Sequence, residues 1–168
     1  GAPQKPHRIE HIEVLHPLDA KRFGLLNVVA SMQPYHAHPD GAQPDAGVWA
    51  ENVGPERLRQ TFAWRQLKQA GAPLMFGSDW PVMRAEPLFG LAVALTRQDA
   101  HGLPQGGWNA HQTLSLDEAL MAYTHDFTTE PTRRTLVRGA PADLVVLAPS
   151  VDLLHPATLW REPSVRYV

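Results

Sequence analysis

The chain has 168 residues, 43% hydrophobic and 19% charged, which is typical of one soluble globular unit with a real core and not of a disordered chain. With 15 Lys and Arg against 17 Asp and Glu, the formal charge is -2, so we expect no nucleic-acid partner and no binding to an anionic membrane. There is no cysteine, which excludes disulfides and thiolate metal sites and leaves the compartment open.

The first part of the chain alternates between predicted strands and helices. Residues 8–15 alternate β-branched and polar side chains, which predicts a short strand with His11 in it or at its end. Residues 17–26 predict a short helix that begins at a proline. Residues 25–32 form a nearly continuous apolar run, typical of a strand buried on both faces. Residues 34–54 are rich in Pro, Gly, Asp and His, so we expect a long surface loop there.

The rest of the chain continues the alternation. Residues 55–70 predict the strongest helix, which a proline opens and Gly71 ends. The further predicted elements are a buried strand at 73–76, an apolar helix at 87–97, a loop at 101–113, a helix from the capping box at Ser115 to about Tyr123, and a strand at 143–147. This order predicts right-handed βαβ units and a parallel sheet. A whole (β/α)8 barrel takes ~250 residues, so three barrel-type strands make part of one.

Polar side chains stand where the predicted buried strands end, and these are His11, the segment 33–38 and Asp79. The carboxyl ends of parallel strands meet on one face, and imidazole and carboxylate are ligands that divalent ions take. Each residue also has an ordinary alternative. A histidine in a strand is more often structural or exposed, an Asp after Gly-Ser is as often a turn residue, and the pair His36 and His38 is at least as often solvated. The residues alone predict an α/β chain with a candidate metal site.

Short motifs along the chain resemble amidohydrolase family 3, which includes N-substituted formamide deformylase-like and exoenzyme regulatory protein-like metal-dependent hydrolases. The motifs span about residues 7–147 and follow the family's order and spacing. They are RIEH at 8–11, SMQP at 31–34 followed by His36, AWR at 63–65, GSDWPV at 77–82, GGW at 106–108, LSLDEAL at 114–120 and ADLVVL at 142–147.

The resemblance implies the C-terminal part of a metal-dependent amidohydrolase, which hydrolyses non-peptide C–N bonds of amides or formamides through a metal-activated water. The implied fold is α/β: about the last three β/α units of a metal-dependent-hydrolase-type (β/α)8 barrel, a TIM barrel, plus a strand of a small β-sandwich domain. Residues 1–136 would form the partial amidohydrolase barrel, and residues 137–168 would be the remnant of the β-sandwich domain. The alternative is a non-catalytic regulatory or binding module that kept the fold but lacks a complete metal site.

The resemblance also implies roles for five residues. His11 and Asp79 would bind the metal, and Asp79 would be the catalytic base that takes a proton from water and returns it to the leaving amine. Gln33, His36 and Trp80 would bind the substrate, with His36 donating a hydrogen bond to the carbonyl oxygen. The expected cofactor is a divalent metal, one or two ions in the complete enzyme, with zinc favoured.

Other ligands of the family are missing from this sequence: a His-x-His from the first barrel strand, a carboxylate or modified lysine from the fourth, and a histidine from the fifth. Two protein ligands do not hold a catalytic ion that normally takes three or more, so we expect weak metal affinity and no turnover from this chain alone. We expect self-association or pairing with the missing N-terminal portion. Arg65 and Trp108 would line the wall of the site, although ordinary packing is the better expectation for both and for Trp80.

The expected partner is a small amide substrate. The apolar runs fall far short of the ~20 residues of a membrane helix. Residues 1–8 begin with basic character and no apolar stretch follows, so no signal peptide is visible. The compartment stays unknown, with the cytoplasm slightly favoured.

Overall fold

A parallel three-stranded sheet lies at the centre of the computed structural model, which describes residues 6–37, 47–125, 137–139, 143–161 and 165–167. Its strands are β1 (Arg8–Glu10), β2 (Val29–Met32) and β3 (Leu74–Phe76), in that spatial order. Helices connect each strand to the next, as parallel strands require. The prediction of an α/β fold with a parallel sheet is therefore confirmed.

The described residues form six α-helices. They are α1 (Ala20–Leu25), α2 (Gly47–Val53), α3 (Pro55–Leu58), α4 (Trp64–Gln69), α5 (Pro87–Thr96) and α6 (Leu116–Thr124). No helix of the described part is long and apolar enough to cross a membrane.

The core lies between the sheet and the helices, and β2 is its centre. All four residues of β2 are buried, as the apolar run predicts for a strand covered on both faces. Trp64 and Leu67 of α4 and Leu91 of α5 are almost fully buried against the same cluster. This packing fixes the direction of β2 and hence the position of the residues that follow it.

All three of the first predicted elements have other bounds than expected. The strand predicted at residues 8–15 ends at Glu10, because His11 and Ile12 have φ angles of 68° and 51°, which lie outside the range of a regular strand. The helix predicted from residue 17 begins only at Ala20. The strand predicted over residues 25–32 begins at Val29, since α1 and a turn occupy the residues before it.

The helix predicted at residues 55–70 was wrong as a single element, because it is divided into α3 and α4. Between them the backbone of Thr61 forms a β-bridge with Val14, and Phe62 has a φ angle of 50° and donates its N–H to the carbonyl of Glu13. These contacts to the segment after β1 replace helical hydrogen bonds. The C-terminal end is as predicted, since Gly71 has a φ angle of 82° after α4.

The loop predicted at residues 34–54 is only partly a loop. Pro34–Ala37 forms a 3-10 helix directly after β2, and Gly47–Val53 forms α2. Residues 38–46, which include His38, lie outside the described residues. The 3-10 helix matters for the site, because its tight turn carries His36 back over the end of the sheet.

The two later helices follow their sequence signals. Ser115 Oγ accepts from the backbone N–H of Glu118, and the Glu118 carboxylate accepts from the backbone N–H of Ser115, which completes the predicted capping box of α6. Helix α5 ends at Thr96, and Arg97 follows in the left-handed conformation with a φ angle of 57°.

The C-terminal segment contributes a short antiparallel pair, β4 (Val146–Leu147) with β5 (Val165–Tyr167). The ring of Trp160 stacks on Phe89 of α5 with centroids 5.4 Å apart, so this segment packs on the helical layer. The predicted domain boundary after residue 136 lies at the end of a stretch, residues 126–136, outside the described residues. The β-sandwich remnant therefore stays a prediction.

Candidate metal centre

Three potential metal ligands meet at the carboxyl end of the sheet. His11 follows β1 directly, His36 lies in the 3-10 helix after β2, and Asp79 comes three residues after β3. Each offers one ligand atom, and these atoms all lie within 4.8 Å of one another. Among the described residues this is the single such group of three or more His, Cys, Asp or Glu side chains. Parallel strands thus bring together residues that are far apart in sequence.

The backbone around two of these ligands adopts left-handed conformations. His11, Ile12 and Asp79 have φ angles of 68°, 51° and 56°. Such conformations cost non-glycine residues roughly 1–3 kcal/mol each, most of all a β-branched residue such as Ile12. The parallel hydrogen bond from the N–H of His11 to the carbonyl of Ser31, at 2.8 Å, holds the first of them in place. Strain of this kind, held by the surrounding fold, is typical of functional sites.

The imidazole of His36 is the most enclosed of the three ligands. Only 7% of the residue is exposed, and its Nε2 has no hydrogen-bond partner in the described part of the chain. Asp79 Oδ2 lies 3.7 Å from this nitrogen, too far for a hydrogen bond. A buried polar atom without a partner costs about 1–3 kcal/mol, so this atom points to a group that binds there.

The two histidines are held by oxygen acceptors on the opposite side of their rings. His11 Nδ1 lies 2.9 Å from Gln33 Oε1, and His36 Nδ1 lies 3.2 Å from Glu13 Oε1. The rings themselves stack with centroids 5.8 Å apart and an interplanar angle of 13°. Both rings are therefore held through Nδ1, and their planes are nearly parallel.

The charge of the site favours a cation. The carboxylates of Glu13 and Asp79 lie beside the imidazole of His36, and within the described residues neither forms a salt bridge with a Lys or Arg. His11 and Asp79 are exposed, so the ligand atoms are open to solvent on one side. Two nitrogen donors and one carboxylate form a ligand set that suits zinc and similar divalent ions.

The other residues expected at the site have different surroundings. Gln33 is buried and bonds to His11, whereas Trp80 is 71% exposed beside Asp79. These surroundings do not test whether Gln33 or Trp80 binds substrate. That role stays a prediction for both residues and for His36.

Two residues considered as wall groups have packing roles. Arg65 pairs with Glu118, N–O 3.2 Å, and donates to the Thr113 carbonyl. Trp108 contacts the ring of Phe62 edge-on and the guanidinium of Arg97. Ordinary packing, the better expectation for these two, accounts for both.

Sequence reasoning missed Glu13. Its carboxylate comes two residues after His11, at the same strand end, and this spacing is the signal that could have identified it. Its partner is His36, however, which belongs to the next strand. The pairing depends on how the two strand ends cross in space, and no local pattern shows it.

Comparisons with known proteins show the family of this chain. The model of the amidohydrolase family matches residues 1–168. The protein LONG AFTER FAR-RED 3 of Arabidopsis thaliana is 34% identical over 125 residues, which are 74% of this chain and 20% of that protein. YtcJ of Bacillus subtilis (strain 168), which is named as an amidohydrolase, is 27% identical over 157 residues, 90% of this chain and 28% of YtcJ.

Two solved structures of metal-dependent hydrolases are also similar to this chain. An uncharacterized metal-dependent hydrolase from Pyrococcus horikoshii OT3 has a TM-score of 0.57 and 27% identity, over 71% of this chain and 23% of that chain. Its counterpart from Pyrococcus furiosus has a TM-score of 0.55 and 26% identity, over 70% of this chain and 22% of that chain. The chain thus spans about a fifth to a quarter of the length of most of the relatives it matches.

Proposed function

Since the chain belongs to the amidohydrolase family, we propose that it supplies part of the active site of a metal-dependent hydrolase, with His11, His36 and Asp79 as metal ligands. One observation carries this proposal: three ligand atoms from three different strand ends lie within 4.8 Å of one another. Ligands that bind one ion at ~2.1 Å lie about 3–4 Å apart, and the separation of 3.7 Å between His36 Nε2 and Asp79 Oδ2 falls in that range.

When bound, a divalent ion supplies a Lewis acid that polarises a carbonyl group and makes water a nucleophile at neutral pH. The chain's own residues supply the proton transfer. Asp79 presents its carboxylate on the exposed side of the cluster, where a water molecule can reach it. There Asp79 would accept the proton of the attacking water and return it to the leaving group. The imidazoles hold their positions during this exchange, because Gln33 and Glu13 fix them from behind.

For the substrate we propose a small amide or formamide, in which the bond that breaks joins carbon to a non-peptide nitrogen. Supporting this are the family resemblance and the single carboxylate in the cluster, since an amine leaves only after it has received a proton. The exposed ring of Trp80 next to Asp79 offers an apolar surface for the substituent on nitrogen. Zinc is the ion that best suits two imidazoles and a carboxylate.

For the fold we propose that the parallel sheet is part of a (β/α)8 barrel. Strand β1 is at the edge of the described sheet. Beside it lies an apolar cleft of about 330 Å³, lined by Ile9, Val14, Phe23 and Leu26 among others. Exposed apolar surface next to an unpaired strand edge is a liability that proteins normally cover. Further strands of a longer protein would cover the edge at β1, and they would also bring further metal ligands.

The proposal is tested with the complete gene product. Zn²⁺ or Co²⁺ content is measured after dialysis, and hydrolysis of N-substituted formamides is followed by release of the amine. Bound metal and turnover that both fall in Asp79→Asn support the proposal. A complete gene product with neither metal nor turnover contradicts it and favours a non-catalytic binding module.

A further inference from the structure

Two side chains outside the ligand set hold the imidazoles in a crossed arrangement. Glu13 follows β1, yet its carboxylate bonds to the imidazole that follows β2. Gln33 follows β2, yet its side-chain oxygen bonds to the imidazole that follows β1. Each strand end therefore holds the histidine of the other.

We propose that Glu13 and Gln33 are positioning residues that select the Nδ1–H tautomer of His36 and His11 and so direct both Nε2 lone pairs toward the ion. This inference rests on the proposed metal site. The physical reason lies in the partners, because a carboxylate and an amide oxygen are acceptors only. The nitrogen that faces each of them must carry the proton, which leaves Nε2 of a neutral ring as the ligand atom.

The surroundings of His36 show why the choice of tautomer matters. Its Nε2 is buried and has no hydrogen-bond partner among the described residues, and Asp79 Oδ2 lies 3.7 Å from it. Without Glu13, the ring could place its proton on Nε2 and turn that proton toward Asp79. The proton would then occupy the lone pair that the ion needs. Glu13 thus prevents a hydrogen bond from His36 to the carboxylate of Asp79.

Both positioning side chains are suited to this task by their placement. Gln33 is 6% exposed, so its amide is held by packing. Glu13 is anchored through its own backbone, since its carbonyl accepts from the N–H of Phe62 at 2.9 Å. The stacking of the two rings, at an interplanar angle of 13°, shows that both are held in nearly the same plane orientation.

The first test reads the tautomers without metal or substrate. Histidine ring nitrogens of the ¹⁵N-labelled protein are measured by NMR at pH ~8.5, where an ordinary imidazole is neutral. We expect His36 and His11 to have a protonated Nδ1 and an unprotonated Nε2. A protonated Nε2 on His36 in the unaltered protein would overturn the inference, whatever the outcome for the metal site.

The second test uses a matched pair of variants, Glu13→Leu and Glu10→Leu, which remove the same charge on either side of His11. Glu13→Leu is expected to shift His36 toward the Nε2–H tautomer and to weaken Co²⁺ binding by about 10–100-fold, measured by visible absorption. Glu10→Leu should leave both unchanged, and Glu13→Gln, which keeps an oxygen acceptor, should lose less than Glu13→Leu. Equal metal affinity in the two leucine variants contradicts the inference. If the unaltered protein binds no Co²⁺ but shows the expected tautomers, the proposed function fails, and only the selection of the Nδ1–H tautomers by Glu13 and Gln33 stands.

Discussion

His36 Nε2 and Asp79 Oδ2 lie 3.7 Å apart at the ends of neighbouring strands, within reach of each other but without a hydrogen bond. A buried imidazole and a carboxylate at this distance would normally close to a direct contact. Their partners explain the gap, because Glu13 holds the far side of the ring and a left-handed backbone fixes Asp79. The gap is the place that we assign to the ion.

Substitution of Asp79 tests its part in metal binding. Asp79→Asn keeps the size of the side chain, and Asn tolerates the left-handed φ angle of 56° well, so the fold should persist. We expect Co²⁺ affinity to fall by at least about 100-fold, beyond the loss for a residue that only orients a ligand. Titration followed by visible absorption measures it, with Asp117→Asn on α6 as the control. Equal affinity of the two variants would exclude Asp79 as a ligand.

A variant of His36 separates its two proposed roles. If His36 is a ligand, His36→Ala lowers metal affinity together with activity, whereas a hydrogen-bond donor to the substrate would affect turnover and leave the metal content intact. We expect the first result, because the orphaned Nε2 faces Asp79. Metal content and kcat/KM are measured on the same preparations, with His101→Ala in an exposed loop as the control. Full metal content in His36→Ala would support the substrate role instead.

How far the site could be predicted from the sequence depends on which contacts are local. His11 and Asp79 can be identified because a polar group at the end of a predicted strand is a local signal, and parallel strands fix where it lies. The sequence does not predict the pairing of Glu13 with His36, since it depends on how two strand ends cross in space.

The fold shows the same division. The capping box at Ser115 is contained in four residues, so the sequence predicts it. The break between α3 and α4 has no such local signal. It arises because Thr61 and Phe62 bond to the segment after β1, a tertiary contact that overrides helical propensity. Periodicity alone therefore predicts one helix where the chain makes two.

Glu118 gives the fold a defined pH dependence. The backbone N–H of Ser115 lowers the pKa of Glu118 below its ordinary value of 4.5, with further lowering from the Ser115 hydroxyl and the charge of Arg65. Since the folded state has the lower pKa, the ionised carboxylate stabilises the fold above pH 4.5, and this contribution is lost as pH falls through the lowered pKa.

We therefore expect Glu118→Gln to lower the free energy of unfolding by about 0.5 kcal/mol at neutral pH, through loss of the charge near the start of α6. The difference from unaltered protein should shrink toward acid pH. Urea unfolding at several pH values measures it, with Glu51→Gln as a control that should show little change. A difference that grows on acidification would contradict the assignment.

Arg97 carries a buried charge, away from the strand ends. Its guanidinium lies 3.8 Å from the ring centroid of Trp64 and donates to the carbonyl of Phe62, and burial lowers the pKa of this group to about 9. We expect Arg97→Lys to lower the free energy of unfolding by about 2 kcal/mol, because an ammonium group does not stack flat on an indole ring. Urea unfolding followed by tryptophan fluorescence measures it. Exposed Arg59→Lys is the control, and an equal effect in both would exclude a special role for the stacking.

The most direct measurement of the metal centre is anomalous diffraction from crystals of the protein loaded with Zn²⁺. We expect one peak at the carboxyl end of the sheet, about 2.0–2.2 Å from a nitrogen of His11, Nε2 of His36 and a carboxylate oxygen of Asp79. A well-ordered site with no peak there, or with a peak bonded to none of these three side chains, would contradict it.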